Sequence, residues 1–288
     1  YQISQFYTPI VENGWLEIEI GDDSKRIRIH DAHQEEDAAK SMHEKGKTLV
    51  DFNKSGVPLL EIVSEPDMVS GEEAFLYASK IRQILRYLEV SDCDMEKGSM
   101  RCEPTVNLKI EEDGKVFYTP LAEIKNIGSL HAVQKACEYE IERQLENWKE
   151  TKEVKSSTNK TTRGWDAVKA ETFLQREKEG SADYRYFPEP DIPPMNFTDE
   201  YIKEIEKTIP ELPDAKKQRF INQYGLNSYD STILTSTKTK ANWFESACEL
   251  VEKKAKEEDI KDINSLYKDM TNWINVELKG LQKKYSYK

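Results

Sequence analysis

The chain has 288 residues, 37% of them hydrophobic and 10% aromatic, enough for a real core in one large domain or two ordinary ones. Charged residues make up 33% and the formal net charge is −12, which argues against a free-standing, non-specific nucleic-acid binder but not against a subunit that shares a nucleic-acid substrate with a partner. No apolar run approaches a membrane span or a signal peptide, and the four cysteines (Cys93, Cys102, Cys137, Cys248) fit neither a zinc motif nor a disulfide scaffold, so they read as reduced thiols.

In chain order, residues 1–67 read as strands and turns. "NGWLEIEIGDDSKRIRIHDAH" alternates at period two through Leu16, Ile18, Ile20, Ile27 and Ile29, with a hairpin turn in "IGDDSK". "VPLLEIVSEPD" is a further strand, stopped at Pro66-Asp67. From Ser70 the period becomes helical. Ala74, Phe75, Ala78, Ile81, Leu85 and Leu88 form one stripe, and Ser70 with Glu72 and Glu73 suits a helix N-terminus. Alternation returns in "TVNLKIEEDGKVFYTPLAEIKN", with Asp113-Gly114 as a turn. A second helix starts at Gly128-Ser129, and "TKEVKSSTNKTTRG" is a polar loop. Proline punctuation in "DYRYFPEPDIPPMNFTDE" predicts a domain boundary near 195–200, and the remainder lacks strand alternation. The reading is an α+β domain over 1–197 followed by an all-α domain over 198–288.

No Gly-rich phosphate loop, G-x-S-x-G elbow or H-E-x-x-H motif occurs. Between Arg28 and Ala74, eleven acids face five bases. Several acids lie in or beside apolar strands: Glu36 and Asp37 before Ala38, Glu61 between Leu60 and Ile62, and Glu65 before Pro66. A strand carboxylate flanked by apolar neighbours points to the face opposite theirs, and burying it unpaired costs several kcal/mol. It therefore wants a cation, and carboxylates without thiolates suit a hard ion such as Mg²⁺. The alternative is an exposed edge strand carrying salt bridges. His30 and His33, three apart, face opposite ways on a strand and are not a ready ligand pair. His43 and His131 read as surface or helix-face residues. In "DCDMEKGSMRCE", Gly98-Ser99 is a turn that places Arg101 and Glu103 on one side of the next strand. Tyr184, Arg185, Tyr186 and Phe187 could stack on a nucleotide base or staple a loop to the core.

Taken in order, "YQISQ", "HQEEDAAK", "GVPLLEIVSEPD", "MEKGSMRCE", "EIKN", "YEIERQ", "TRGWD" and "DYRYFPEPDIPP" resemble the B subunits of the glutamyl-tRNA(Gln)/aspartyl-tRNA(Asn) amidotransferases. "ELPDAKKQRFINQYGLNSYDSTILT" extends the resemblance into that family's helical domain. The resemblance implies a mainly antiparallel cradle domain related to the glutamine synthetase catalytic fold. It also implies an ATP- and Mg²⁺-dependent ligase activity. The side-chain carboxylate of Glu or Asp misacylated on tRNA is phosphorylated, then amidated with ammonia from a partner amidase subunit. A small third subunit completes the implied heterotrimer, in a bacterial cytoplasm or an organelle matrix. For the residues, the resemblance implies Glu36 and Glu61 as Mg²⁺ ligands, with Glu36 also catalytic at the mouth of an ammonia channel. Glu35, Asp37 and Glu65 are secondary candidates. Tyr1, Ser4 and Gln5 would lie near the nucleotide, and Arg101 and Lys125 would neutralise phosphate or orient the acylated tRNA end. The family's Gly-Leu-Glu-(Ile/Val)-His stretch, with its metal-binding His, would lie upstream of Tyr1, and its tRNA-gripping tail domain after Lys288. The expectation is thus a fragment whose metal site owes nothing to His30 or His33. "EIKNIGS" departs from the more usual Lys-Asn-Leu-Asn-Ser, and Lys97 stands where an acid is common. A non-catalytic scaffold that docks the amidase and presents tRNA is the alternative.

Overall fold

The computed structural model describes residues 3–21, 23–177 and 187–285. Two compact units form: one from Tyr1–Lys80 and Met95–Asn196, the other from Ile81–Asp94 and Phe197–Lys288. A single cut at 197/198 misses that residues 81–94 group with the helical unit.

The first unit opens with β1 (Val11–Ile20), β2 (Asp23–Glu36), β3 (Lys40–Glu44), β4 (Lys47–Asp51) and β5 (Pro58–Ser64). A three-stranded sheet runs β1-β2-β5 with antiparallel pairing throughout, and β3-β4 is a separate hairpin. Ile18 and Ile27, both on the period-two pattern, are buried to 2% and 0% exposure. Helix α1 (Gly71–Tyr87) follows. Ser70 Oγ accepts from Glu73 N at 3.1 Å and the Glu73 carboxylate accepts from Val69 N at 2.8 Å, a reciprocal cap of the Ser-x-x-Glu type.

The strands β6 (Thr105–Val106), β7 (Lys109–Glu112), β8 (Lys115–Tyr118) and β9 (Ala122–Lys125) come next, then helix α2 (Leu130–Thr151), β10 (Thr161–Asp166) and β11 (Glu171–Glu177). β7-β8 closes through Asp113 (φ 51°) and Gly114 (φ 74°), the left-handed pair that a two-residue hairpin turn needs. The second sheet has order β11-β10-β9-β6. All its pairs are antiparallel except β9 with β10, which are parallel and joined by α2 as the crossover helix. With that one parallel pair the sheets are mainly antiparallel, as the sequence reading expects.

α2 begins at Ser129, whose side chain accepts from Ala132 N, and it buries Leu130, Val133, Ala136, Cys137, Glu140, Gln144 and Trp148 on one stripe. Ile124, Ile127, Val133, Ala136, Cys137 and Trp165 form the core between this helix and the sheet. Within it Glu140 is fully buried. Its carboxylate accepts from Arg143 Nη2 at 2.5 Å and Nε at 3.0 Å, from Gln144 Nε2 at 3.0 Å and from Thr172 Oγ1 at 2.9 Å. Arg163 Nε lies 3.4 Å away. Gln144 also donates to Val106 O at 3.0 Å, so one polar knot ties α2 to β6, β10 and β11. Burial alone would raise the Glu140 pKa; the bonds from Arg143, Gln144 and Thr172 outweigh it and hold the carboxyl below its ordinary range.

The second unit is helical: α3 (Asp199–Glu206), α4 (Pro213–Tyr224), α5 (Ser228–Leu234), α6 (Lys238–Glu257), α7 (Ile263–Asn272), a π-helical turn (Trp273–Leu278) and α8 (Lys279–Tyr285). Phe220, Tyr224, Phe244 and Tyr267 pack ring on ring at its centre, 4.9–5.5 Å between centroids. The last turns of α1 join this unit through Tyr87, whose hydroxyl donates to Thr235 O at 2.7 Å. No helix among the described residues is long and apolar enough to cross a membrane. All four cysteines are free thiols, three of them buried.

Replacing Glu140 by Ala strands Arg143 and Arg163 beside a polar void and is expected to cost about 3 kcal/mol in denaturant unfolding. The same gap measured against a Glu140→Gln variant should close as the pH falls. A depressed folded-state pKa gives stability that is present above the unfolded value and lost as the native carboxylate protonates.

Candidate functional site

The end of β2 carries "DAHQEE", and its pleat sorts these residues. Asp31, His33 and Glu35 alternate to one face while Ala32 and Gln34 take the other. In the pairing with β5, His33 stands directly opposite Glu61. The imidazole is only 2% exposed. Its Nδ1 lies 2.7 Å from Asp31 Oδ1, and its Nε2 is 3.4 Å from Glu35 Oε1 and 3.7 Å from Glu61 Oε2. Nε2 is buried with no hydrogen-bond partner. The ligand atoms of His33, Glu35 and Glu61 all fall within 4.8 Å of one another, the one such grouping among the described residues.

This geometry has a definite electrostatic sense. Burial pulls the His33 pKa down, but the bond to Asp31 and the charges of Glu61 and Glu35 outweigh it and raise it overall. Burial and the nearby Glu35 charge raise Glu61. A proton or a cation therefore belongs among these groups. With a cation in place, Asp31 accepting from Nδ1 would leave the Nε2 lone pair to face it, the arrangement found behind metal-ligating histidines. The donor set, two carboxylates and one imidazole, fits a divalent cation that keeps several positions for water or phosphate.

The chain N-terminal to β1 supplies a further edge. Gln5 N donates to Gln34 O at 2.9 Å and Glu36 N to Ile3 O at 3.2 Å, so residues 3–5 extend the sheet alongside the end of β2. Ser4 Oγ donates to Glu35 Oε1 at 2.8 Å, orienting that carboxylate. The Gln5 side-chain oxygen accepts from Gln34 N at 3.0 Å. Phe6 sets its ring edge-on to His33, 6.0 Å between centroids. Ser4 and Gln5 thus lie at the site, holding its strands and its carboxylate. Tyr1 falls outside the described residues, as do Tyr184, Arg185 and Tyr186; Phe187 is exposed.

The other sequence candidates divide. Glu61 is in the group, but Glu36 is not. One residue beyond Glu35, its carboxylate comes 3.4 Å from Ile3 N and 3.9 Å from where a side chain on Gly56 would begin. The structure brings Glu35 and His33 to Glu61, where the sequence reading sets Glu36. The reason is the pleat, since adjacent strand residues cannot share a face. His30 and His33 do not converge, as their spacing predicts. His30 lies exposed with Nδ1 2.9 Å from Glu65, whereas His33, passed over by the sequence reading, is the centre of the group. The signal that could have found it is the Asp31-x-His33-x-Glu35 spacing itself. Asp37 accepts two bonds from Arg101 Nη2, at 3.0 and 3.1 Å. Lys125 Nζ pairs with Glu103 at 2.8 Å and Glu123 at 3.3 Å. These pairs outweigh burial and raise its pKa. Glu103 adds a small upward push to the Glu61 pKa.

Comparison with known proteins bears on what such a face belongs to. Residues 1–203 match the model of the GatB/GatE catalytic domain. The chain belongs to this family. Relatives named as the B subunit of the aspartyl/glutamyl-tRNA(Asn/Gln) amidotransferase include one from Staphylococcus saprophyticus, 48% identical over 247 residues (86% of this chain, 51% of the relative). Another, from Persephonella marina, is 44% identical over 280 residues (97% and 55%), and one from Thermotoga maritima is 43% identical over 284 (96% and 55%). The chain spans about half the length of the curated relatives it matches.

If His33, oriented by Asp31, is a cation ligand, Asp31→Asn should weaken Mn²⁺ binding in calorimetric titration of the full chain by about 10- to 100-fold. His43→Gln, on an exposed side chain of the separate β3-β4 hairpin, should leave it unchanged.

Proposed function

We propose that this chain carries the phosphorylating and amidating site of a tRNA-dependent amidotransferase. ATP phosphorylates the side-chain carboxylate of Glu (or Asp) misacylated on tRNA, and ammonia from a partner amidase subunit then displaces the phosphate. The observation that carries this reading is the buried, unpartnered Nε2 of His33 between Glu35 and Glu61, in a chain of the GatB/GatE family.

The chemistry sets the requirements. A carboxylate oxygen attacks the γ-phosphorus, the bond to the ADP oxygen breaks, and an acyl phosphate results. The ammonia nitrogen then attacks the acyl carbon, inorganic phosphate leaves, and the amine sheds a proton. The first step brings two anions together, so it needs neutralised charge and in-line positioning more than covalent help from the protein. Glu35, Glu61 and His33 would hold a divalent cation such as Mg²⁺, which when bound supplies charge neutralisation at the phosphate oxygens. Asp31 orients His33, and Ser4 orients Glu35. Lys125 carries a positive charge held by Glu103 and Glu123, and Arg101 another beside Asp37. Glu36 lies at the same strand end but outside the cation group, next to the Ile3 and Gly56 backbone, and so can take the proton from the incoming ammonia.

A second reading keeps one observation in its favour: Arg101 and Lys125 already hold carboxylates of this chain. A non-catalytic scaffold would show such internal pairs, and would bind no Mg²⁺–ATP in calorimetry.

The test uses the complete protein assembled with its partner subunits and Glu-tRNA(Gln) as substrate. Glu61→Gln should lower the rate of ADP formation by on the order of 100-fold or more. Glu36→Gln should leave ADP formation largely intact while slowing Gln-tRNA(Gln) formation. Full activity in the Glu61 variant would refute the cation assignment. Equal loss of both readouts in the Glu36 variant would refute its separate role.

A further inference from the structure

Glu61 stands on a strand with little of its own to hold it. β5 is an edge strand, paired within its sheet on one side only, with β2. Between β2 and β5 the chain leaves the sheet as the β3-β4 hairpin, and every residue of those two strands is exposed. A two-stranded hairpin exposed on both faces is marginal by itself and lends no support to the strands it joins. The far end of β5 is tied down, since Asp67 just beyond it takes two side-chain bonds from Arg28, at 2.6 and 2.9 Å. The near end, where Pro58 pairs with Glu36 and Glu61 faces His33, needs a tie of its own. Strand ends without one fray.

Two ties are present, and both lead to one turn. Asp37 N donates to Val57 O and Gly56 N to Asp37 O, each at 2.9 Å, which carries the pairing past Pro58. The Asp37 carboxylate is held in turn by Arg101. Lys54, just ahead of β5, donates from Nζ to Gly98 O at 3.2 Å. Gly98 has φ 71°, and a Cβ there would come 2.7 Å from the Lys54 ammonium. The turn itself is rooted in another layer. Gly98 N donates to Met95 O at 3.1 Å, and Met95 and Cys102 pack against the core of Ile124, Val133 and Trp165 between α2 and the second sheet. Lys54 and Arg101 thus fasten the start of β5 and the end of β2 to a core outside their own sheet. We propose that Lys54 is a positioning residue for Glu61. Held on Gly98 O, it fixes where β5 begins, and the strand register then sets Glu61 opposite His33. Asp37 with Arg101 is the second strap of the same clamp, and Gly98 leaves room for the ammonium. That Glu61 holds a cation rests on the reading above; the clamp on β5 does not.

The experiment uses the assembled enzyme, unsubstituted and with Lys54→Met, Lys54→Arg, Gly98→Ala and, as a control on the exposed hairpin, Lys47→Met. Amide hydrogen exchange over residues 59–64 is followed by mass spectrometry without added cation, Mn²⁺ affinity by calorimetry, and unfolding temperature alongside. In Lys54→Met, exchange over 59–64 should speed up while α2 exchanges as in the parent, and Mn²⁺ affinity should fall by about 10-fold. Gly98→Ala, which displaces the ammonium, should do the same. Lys54→Arg keeps a charged donor and should behave like the parent in both readouts, and Lys47→Met should move neither. Unchanged exchange over 59–64 in Lys54→Met overturns the proposal. So does faster exchange spread equally over α2 with a lowered unfolding temperature, which marks a general loss of stability. Faster exchange confined to 59–64 with Mn²⁺ affinity unchanged overturns the role in placing Glu61. If the unsubstituted enzyme takes up no Mn²⁺, the cation reading falls, and the exchange readout alone decides the clamp.

Discussion

The site depends on a constraint as simple as the pleat of one strand. Because β2 alternates, Asp31, His33 and Glu35 emerge on one side, and because β5 runs antiparallel in a fixed register, Glu61 arrives opposite His33. A one-residue slip would send His33 and Glu35 to the other face and break the group. The register is held on both sides of β2: by β5 along its outer length, and by the Ile3–Gln5 segment, whose backbone bonds reach Gln34 and Glu36. An imidazole buried to this degree among three carboxylates is costly unless a positive charge is shared among them. That cost ties the local fold to a binding chemistry, since the groups are satisfied by a proton or by a cation.

The second sheet solves a different problem. One face packs on α2, and a fully buried carboxylate helps to fix it there. Glu140 reaches β10 and β11 directly and β6 through Gln144, so helix and sheet are fixed by directional bonds as well as by Ile124, Val133 and Trp165. Directional bonds specify orientation more sharply than apolar packing does. Lys125 on β9 and the Phe173 ring over Gly164 sit on the other face of that same fixed sheet.

Much of this is legible in the sequence, for physical reasons. Period-two alternation locates β1 and β2, Ser70 and Ser129 mark the two helix starts, and Asp113-Gly114 marks the β7-β8 turn. These are local signals and they carry local structure. The carboxylate-rich stretch is recognisable too, and Glu61 stands out on the ground that a strand acid beside apolar neighbours wants a cation. The choice within the stretch is where sequence and geometry part. Reading the motif as a string favours Glu36 and passes over His33, although the spacing Asp31-x-His33-x-Glu35 already places three polar groups on one face. The partnership with Glu61 is out of reach, since it depends on the register between strands almost thirty residues apart. The same holds for Phe173 over Gly164 and for Glu140, whose strand partners come from β10 and β11.

The central claim is that the cation seat is His33, Glu35 and Glu61, oriented by Asp31 and Ser4. Diffraction from crystals of the protein grown with Mn²⁺, collected at a wavelength where manganese scatters anomalously, tests it most directly. The account predicts an anomalous peak bounded by His33 Nε2 and the carboxylates of Glu35 and Glu61. A peak on Glu36 with none at His33 would contradict it.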